Sequence, residues 1–421
     1  MTPSIRWVYL GIGSLAISGL YSIALVLLRS PWLSGIIDKD LFRTALVIHV
    51  NLSVLVWLLS TITSLWFYNV DKKYNYFIHY SNYIALAGLC LMSVSPLAGE
   101  SEPILNNYVP MVDNFCFVLG LVLFACAIAF AAIVALFSNY RTNPTPLKIA
   151  NISSALIILV TMVSFVLSYF ALERVPYEMD MHFYYESFFW GGGHILQFVF
   201  VQGVMIVWLL LLENALGKKL YYQKIYKVIL ALNMLLVIPS LYPYYAYPID
   251  SVEFIDFFTS HMKYCGGIAP SLMLIVLLSE YKTLPAGASK NCLIASLGLF
   301  FLGGVIGLLI SGTNVTIPAH YHGSIVGISI AFMGFVYMVL GVKKDFYQPY
   351  IYAIGQTLHI IGLAVSGGYG VMRKAPGEEL ALKAKIAMGV MGFGGLLAVI
   401  GGLIFVYICG RRVAYCSGAL K

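Results

Sequence analysis

The segment TIPAHYHGSIVGISIAFMGFVY, residues 316–337, is long and apolar enough to cross a membrane, yet it contains two histidines. An imidazole inside a bilayer is costly unless it is paired or binds a metal, so His320 and His322 are candidate functional residues. Successive helical residues differ by about 100°, which points the two rings roughly 160° apart. The pair can therefore serve two different centres on one helix, but not one metal together. The alternative is that both are hydrogen-bonded histidines near a helix start marked by Asn314 and Pro318.

The composition is that of a polytopic membrane protein. Hydrophobic residues make up 60% of the 421 residues and charged residues 10%, whereas a soluble globular domain carries roughly a quarter charged residues. Twelve apolar segments are long enough to cross a hydrocarbon core of about 30 Å. Their approximate bounds are residues 7–28, 44–68, 77–97, 109–138, 147–172, 183–212, 226–244, 260–279, 292–311, 317–341, 349–369 and 384–409. We therefore predict an all-α fold with a single membrane domain, residues 1–421.

The lysines and arginines predict how the chain is oriented, because positive residues accumulate in cytoplasmic loops. When the loops are assigned alternately to two sides, sixteen of the 25 fall on the side that carries both termini and eight on the other, and Lys263 remains near a membrane boundary. We expect both termini in the cytoplasm and the chain embedded in the lipids of a bacterial cytoplasmic membrane. The net charge of +7 then reflects topology and does not indicate nucleic-acid binding.

Three further histidines lie in other predicted spans. His49 is central in RTALVIHVNLSVLVWLLS, residues 43–60, and His194 follows three glycines, Gly191–Gly193, which permit close approach of backbone or a cofactor. His261 lies in FFTSHMKYCGGIAP, at the predicted start of the eighth span. Several such histidines on separate spans indicate a buried haem or metal centre. The alternative for His49 is a core histidine bonded to a neighbour, and for His261 an interfacial residue.

One predicted outer loop, SGGYGVMRKAPG at residues 366–377, carries two adjacent cations, Arg373 and Lys374. Such a pair can bind carboxylates, including the propionates of haem. The alternative is that both are solvated loop charges.

The order of these spans and histidines resembles subunit I of the haem–copper oxidase superfamily. The likeness covers nearly the whole chain, and the H-x-H pair in the tenth span is its most specific part. It implies two haems: a high-spin haem on His320 and a low-spin haem between His322 and His49. It also implies that Arg373 and Lys374 hold the haem propionates.

The resemblance further implies that His194 and His261 bind copper or a non-haem iron next to the high-spin haem. The chain departs from the family here, because Ser260 stands where the family has another histidine. Four residues after the sixth-span histidine, many oxidases have tyrosine and nitric oxide reductases have glutamate, whereas this chain has Phe198. The metal site would then be empty, or completed by water, Gln197 or a tyrosine. Candidate tyrosines in SLYPYYAYP are Tyr242, Tyr244 and Tyr245.

The function implied by the resemblance is that of a respiratory terminal oxidase, which passes electrons through haem and reduces dioxygen to water. His320, His194 and His261 would be its catalytic residues. The seven scattered cysteines include no pair suited to a two-copper centre, so a partner similar to subunit II of the family would deliver the electrons. Three alternatives stay open: a nitric oxide reductase, a degenerate homologue that binds haem for electron relay or gas sensing, and a transporter.

Overall fold

The computed structural model describes residues 3–28, 39–99, 102–141, 143–280, 284–310, 314–342, 347–368 and 382–416. It is 84% helical, and twelve helical segments are long and apolar enough to cross a membrane. The predicted all-α fold and the predicted number of spans are thus confirmed, and the protein is a multi-pass membrane protein. Spans 1 to 12 comprise Ser4–Leu25, Leu41–Trp66, Lys72–Leu97, Phe115–Asn139, Pro146–Leu172, Met181–Leu216, Gln223–Ala246, Val252–Glu280, Ala288–Leu308, Thr316–Val339, Gln348–Gly368 and Leu382–Tyr415.

Eight spans are single α-helices and four are interrupted. The single helices are Pro3–Leu28, Phe115–Asn139, Pro146–Leu172, Met181–Leu216, Ala288–Leu308, Thr316–Val339, Gln348–Gly368 and Leu382–Cys416. Span 2 joins Lys39–Val50, a π-helix at Asn51–Val56, and Trp57–Trp66. Span 3 places Asn75–Val94 between 3₁₀ turns at Lys72–Tyr74 and Ser95–Leu97. Span 7 comprises Gln223–Leu235, Ile238–Leu241 and Pro243–Ala246, and span 8 comprises Val252–Cys265 and Ile268–Glu280.

A short antiparallel hairpin precedes span 4. Strand β1, Glu102–Ile104, pairs with β2, Met111–Asp113, so that Pro103 lies opposite Val112. The prediction that span 4 begins near residue 109 is therefore wrong. The helix begins at Phe115, because the Asn114 side chain accepts a hydrogen bond from the Cys116 amide and caps its first turn.

Spans 2, 6 and 10, which carry four of the five predicted ligand histidines, are the most buried spans. The buried share of their apolar windows is 67%, 89% and 72%, against at most 44% for the other nine described spans. The apolar windows of these three helices are therefore covered mostly by protein. His194 is buried and His49, His320 and His322 are half-buried, and an imidazole so placed within a span needs a specific partner.

The chain forms two compact units. The first comprises Met1–Ile206 with Tyr221–Ser279, and the second comprises Val207–Leu220 with Glu280–Lys421. His49, His194 and His261 belong to the first unit, and His320 and His322 to the second. The single membrane domain stays a prediction.

Pairs of consecutive spans approach each other closely at glycines. A Cβ atom added to Gly88 in span 3 would lie 2.6 Å from the Gly120 carbonyl oxygen in span 4, and one added to Gly120 would lie 2.8 Å from the Gly88 carbonyl oxygen. Small residues at helix interfaces allow such close backbone packing in membranes. The same kind of contact joins spans 9 and 10, and spans 11 and 12: Gly303 with Gly323, and Gly355 with Gly394.

Candidate functional site

His49 is oriented by span 1. Its Nδ1 atom lies 3.0 Å from the Ser18 carbonyl oxygen and 2.9 Å from the Ser18 hydroxyl. The π-helix Asn51–Val56 follows directly, and single π turns within α-helices are frequent at functional sites. The Nε2 atom of His49 is thus the nitrogen that remains for a metal ion.

The two histidines of span 10 contact different helices. His320 Nδ1 lies 2.7 Å from the Gly303 carbonyl oxygen of span 9, and a Cβ atom added to Gly307 would lie 2.5 Å from the same nitrogen. The His322 ring instead lies against His359 of span 11, with ring centroids 4.7 Å apart. The predicted opposite orientation of His320 and His322 is consistent with these contacts.

His194 is buried and has both ring nitrogens in hydrogen bonds. Its Nδ1 atom lies 2.7 Å from the Trp190 carbonyl oxygen, and its Nε2 atom lies 2.8 Å from the hydroxyl of Tyr108. Tyr108 comes from the loop of the hairpin before span 4, and sequence reasoning missed it. A short polar loop has no periodicity, and one tyrosine among 30 gives no signal by itself.

Aromatic rings fill the space beside the three glycines that precede His194. Cβ atoms added to Gly191, Gly192 and Gly193 would lie 2.2 to 2.3 Å from the nearest atoms of Tyr244, Phe165 and Tyr108, respectively. The glycines therefore do permit a close approach, and in the described residues the approaching groups are protein side chains.

Within the described part of the chain, His194 bonds to Tyr108 and Trp190 and to none of the three candidate tyrosines of span 7. Tyr242 and Tyr245 are exposed. Tyr244 packs on Gly191, and its hydroxyl lies 2.6 Å from Ser164 Oγ and 3.0 Å from Ser168 Oγ. The tyrosine that completes the surroundings of His194 is Tyr108.

His261 lies well inside a helix, Val252–Cys265, that begins earlier than the predicted start of span 8. Its Nε2 atom lies 2.8 Å from the Leu236 carbonyl oxygen, and its buried Nδ1 atom has no hydrogen-bond partner among the described residues. Phe198 packs on the imidazole with a centroid distance of 5.3 Å. His261 thus offers one buried nitrogen.

Ser260 does not supply a further buried ligand. It is exposed and lines an open cavity of about 560 Å³ together with Asp256 and Tyr264. Within the described ranges, no three His, Cys, Asp or Glu side chains come close enough to hold a metal ion. This donor set does not fit a copper centre with three imidazoles. Arg373 and Lys374 lie outside the described residues.

The fold and these side chains define a multi-pass membrane protein that holds oriented imidazoles inside its spans. No family model matches the chain. The uncharacterized protein RP382 of Rickettsia prowazekii (strain Madrid E) is 37% identical, over 98% of this chain and 96% of that protein. An uncharacterized protein of Aquifex aeolicus (strain VF5) is 28% identical, over 79% and 83% of the two chains. The chain belongs to the same family as the Rickettsia protein.

Proposed function

We propose that the chain is a haem-carrying subunit of a respiratory oxidoreductase that reduces dioxygen to water at the haem bound by His320. The observation that carries the proposal is the way its histidines are oriented. The Nδ1 atoms of His49 and His320 lie 3.0 and 2.7 Å from the carbonyl oxygens of Ser18 and Gly303. Histidines that bind metals almost always donate their other N–H to such an oxygen.

These imidazoles would hold haem iron through Nε2, because the anchored Nδ1–H leaves the Nε2 lone pair free to bind. A haem with two imidazole ligands only transfers electrons, whereas a haem with one keeps a position for a gas. The pairing of His49 with His322 on a low-spin haem stays a prediction, as does the binding of propionates by Arg373 and Lys374.

The proposal places the chain in a bacterial cytoplasmic membrane with both termini in the cytoplasm. The distribution of lysine and arginine supports the orientation, and the bacterial origin of both relatives supports the type of membrane. A partner subunit similar to subunit II of the haem–copper oxidases would deliver the electrons.

A second candidate function is electron relay or gas sensing by a haem protein without a second active-site metal. Two observations favour it: the hydroxyl of Tyr108 lies on His194 Nε2, and Ser260 is exposed. Both observations concern the site at which the haem–copper oxidases, which the chain resembles, hold their second metal.

Spectroscopy of the purified protein tests the proposal. We expect about two haems per chain, one low-spin and one that binds carbon monoxide. With a reductant, the complex should consume dioxygen. Nitric oxide consumption without dioxygen consumption would favour the reductase alternative, and haem without either activity would favour relay or sensing. A protein that is colourless as isolated would contradict the proposal and favour a transporter.

A further inference from the structure

The loop that carries Tyr108 is fixed to two different spans. Its residues, 105–110, connect β1 with β2 and are called the Tyr108 loop below. The Glu186 carboxylate of span 6 accepts hydrogen bonds from the Asn107 amide, at 3.0 Å, and from the Asn107 side chain. The Asn51 side chain of span 2 donates to the Pro110 carbonyl oxygen at 2.7 Å. The position of the loop is therefore determined on both sides of Tyr108.

Tyr108 occupies a space that is shaped for its ring. The ring lies where Gly193 has no side chain, and it meets the Trp190 ring edge-on with centroids 5.8 Å apart. Its hydroxyl donates to His194 Nε2, because the Nδ1–H of the same imidazole donates to the Trp190 carbonyl oxygen. With both nitrogens engaged, His194 has no lone pair left for a metal ion.

We propose that Tyr108 excludes a metal ion from His194, so that a tyrosine–imidazole hydrogen bond replaces the second metal that the family resemblance implies. The inference rests on the resemblance that also underlies the proposed function, and of the two candidate functions it favours electron relay or gas sensing, which needs no second metal. Metal–imidazole bonds are about 2.0–2.1 Å long, so an ion on Nε2 would need the place now taken by the Tyr108 hydroxyl. Its entry requires the Tyr108 side chain to move, and the hydrogen bonds of the loop to Glu186 and Asn51 oppose that movement.

The test is copper uptake by the purified, haem-loaded protein. Wild type and Tyr108→Ala are titrated with Cu(II) without removal of the free ion, and nitrogen coordination of the copper is followed by electron paramagnetic resonance. The wild type should show no nitrogen-coordinated copper that depends on His194. Tyr108→Ala opens the space beside Nε2 and should gain a nitrogen-coordinated Cu(II) signal, which the added change His194→Ala removes.

Tyr244→Ala is the matched control. It removes a second half-buried tyrosine from the same row of glycines, but that hydroxyl bonds to Ser164 and Ser168. The cavity is of similar size, so both variants should lose similar stability, and only Tyr108→Ala should gain the copper signal. Should Tyr108→Ala not fold, Glu186→Gln loosens the loop without altering the phenol or the imidazole and should gain a fraction of the signal.

Two results would overturn the exclusion of metal by Tyr108. One is a wild type that shows the nitrogen-coordinated copper signal and loses it on His194→Ala. The other is a folded Tyr108→Ala, or Glu186→Gln in its place, that gains none. Haem is quantified separately as its pyridine complex. A wild type without haem would contradict the proposed function, whereas the copper measurement would still test the role of Tyr108.

Discussion

At the scale of single residues, four of the five candidate ligands, all except His322, lie within hydrogen-bond distance of a backbone carbonyl oxygen. Ser18 lies 31 residues from His49, and Tyr108 lies 86 residues from His194. Side-chain substitution does not remove a carbonyl anchor. Changes in the space around a ligand ring are therefore more informative than changes of the anchor itself.

Gly307 provides such a test for His320. Gly307→Ala should abolish the carbon monoxide difference spectrum, since its Cβ atom would lie 2.5 Å from His320 Nδ1 and displace the ring. Gly304→Ala is the control, because no atom lies within 4 Å of its added Cβ. An unchanged spectrum in Gly307→Ala would place the gas-binding haem elsewhere.

The low-spin haem is tested at its two predicted ligands. His49→Ala and His322→Ala should each remove the six-coordinate spectrum of a haem with two imidazole ligands. His182→Ala should not remove this spectrum, because His182 is exposed in the first turn of span 6. Retention of that spectrum in both ligand variants would show that the pairing is wrong.

The sequence predicted the orientation of two histidines, but not the contact made by a third. The orientation of His320 and His322 follows from regular helix geometry, and no interruption occurs in Thr316–Val339. The contact of Tyr108 with His194 depends on the pairing of two three-residue strands and on hydrogen bonds to Asn51 and Glu186. Such long-range contacts leave no periodic signal.

At the scale of elements, the interruptions within spans have local causes. Pro239 and Pro243 lack amide hydrogens, so the helix of span 7 breaks into short turns around them. Gly266 and Gly267 separate the two helices of span 8. The π-helix of span 2 contains neither proline nor glycine, so hydropathy alone could not predict it.

The glycine contact between spans 3 and 4 predicts a stability effect. Gly88→Ala should destabilise the folded protein by about 1–3 kcal/mol, because its Cβ atom meets backbone atoms of Gly120 and Phe124 that cannot rotate away. Gly19→Ala, whose Cβ atom meets nothing within 4 Å, should leave stability unchanged or slightly higher. Thermal unfolding in detergent measures both, and equal melting temperatures would refute the expectation.

At the scale of the whole molecule, composition determined the class of protein because twelve apolar helices need no long-range information to be recognised. Orientation in the membrane is a separate property that depends on loop charge. It remains a prediction from the sixteen-to-eight division of lysines and arginines.

Fusions to the C-terminus test that orientation. A fluorescent protein fused after Lys421 should fluoresce, and alkaline phosphatase fused at the same position should be inactive, because the predicted C-terminus is cytoplasmic. Fusions in the predicted outer loop at residues 366–377 should give the reverse pattern. Active phosphatase at the C-terminus would show that the predicted orientation is inverted.

The glycine contacts also bear on how the protein is made. Each of the three close helix pairs consists of neighbours in the chain, spans 3–4, 9–10 and 11–12. Contacts between sequence neighbours form early, because little chain has to be closed into a loop. Each pair can therefore associate as soon as its second helix leaves the ribosome and enters the bilayer. A glycine substitution in the pair of spans 3 and 4, such as Gly88→Ala, should then expose the nascent chain to membrane proteases before the C-terminal spans have been translated.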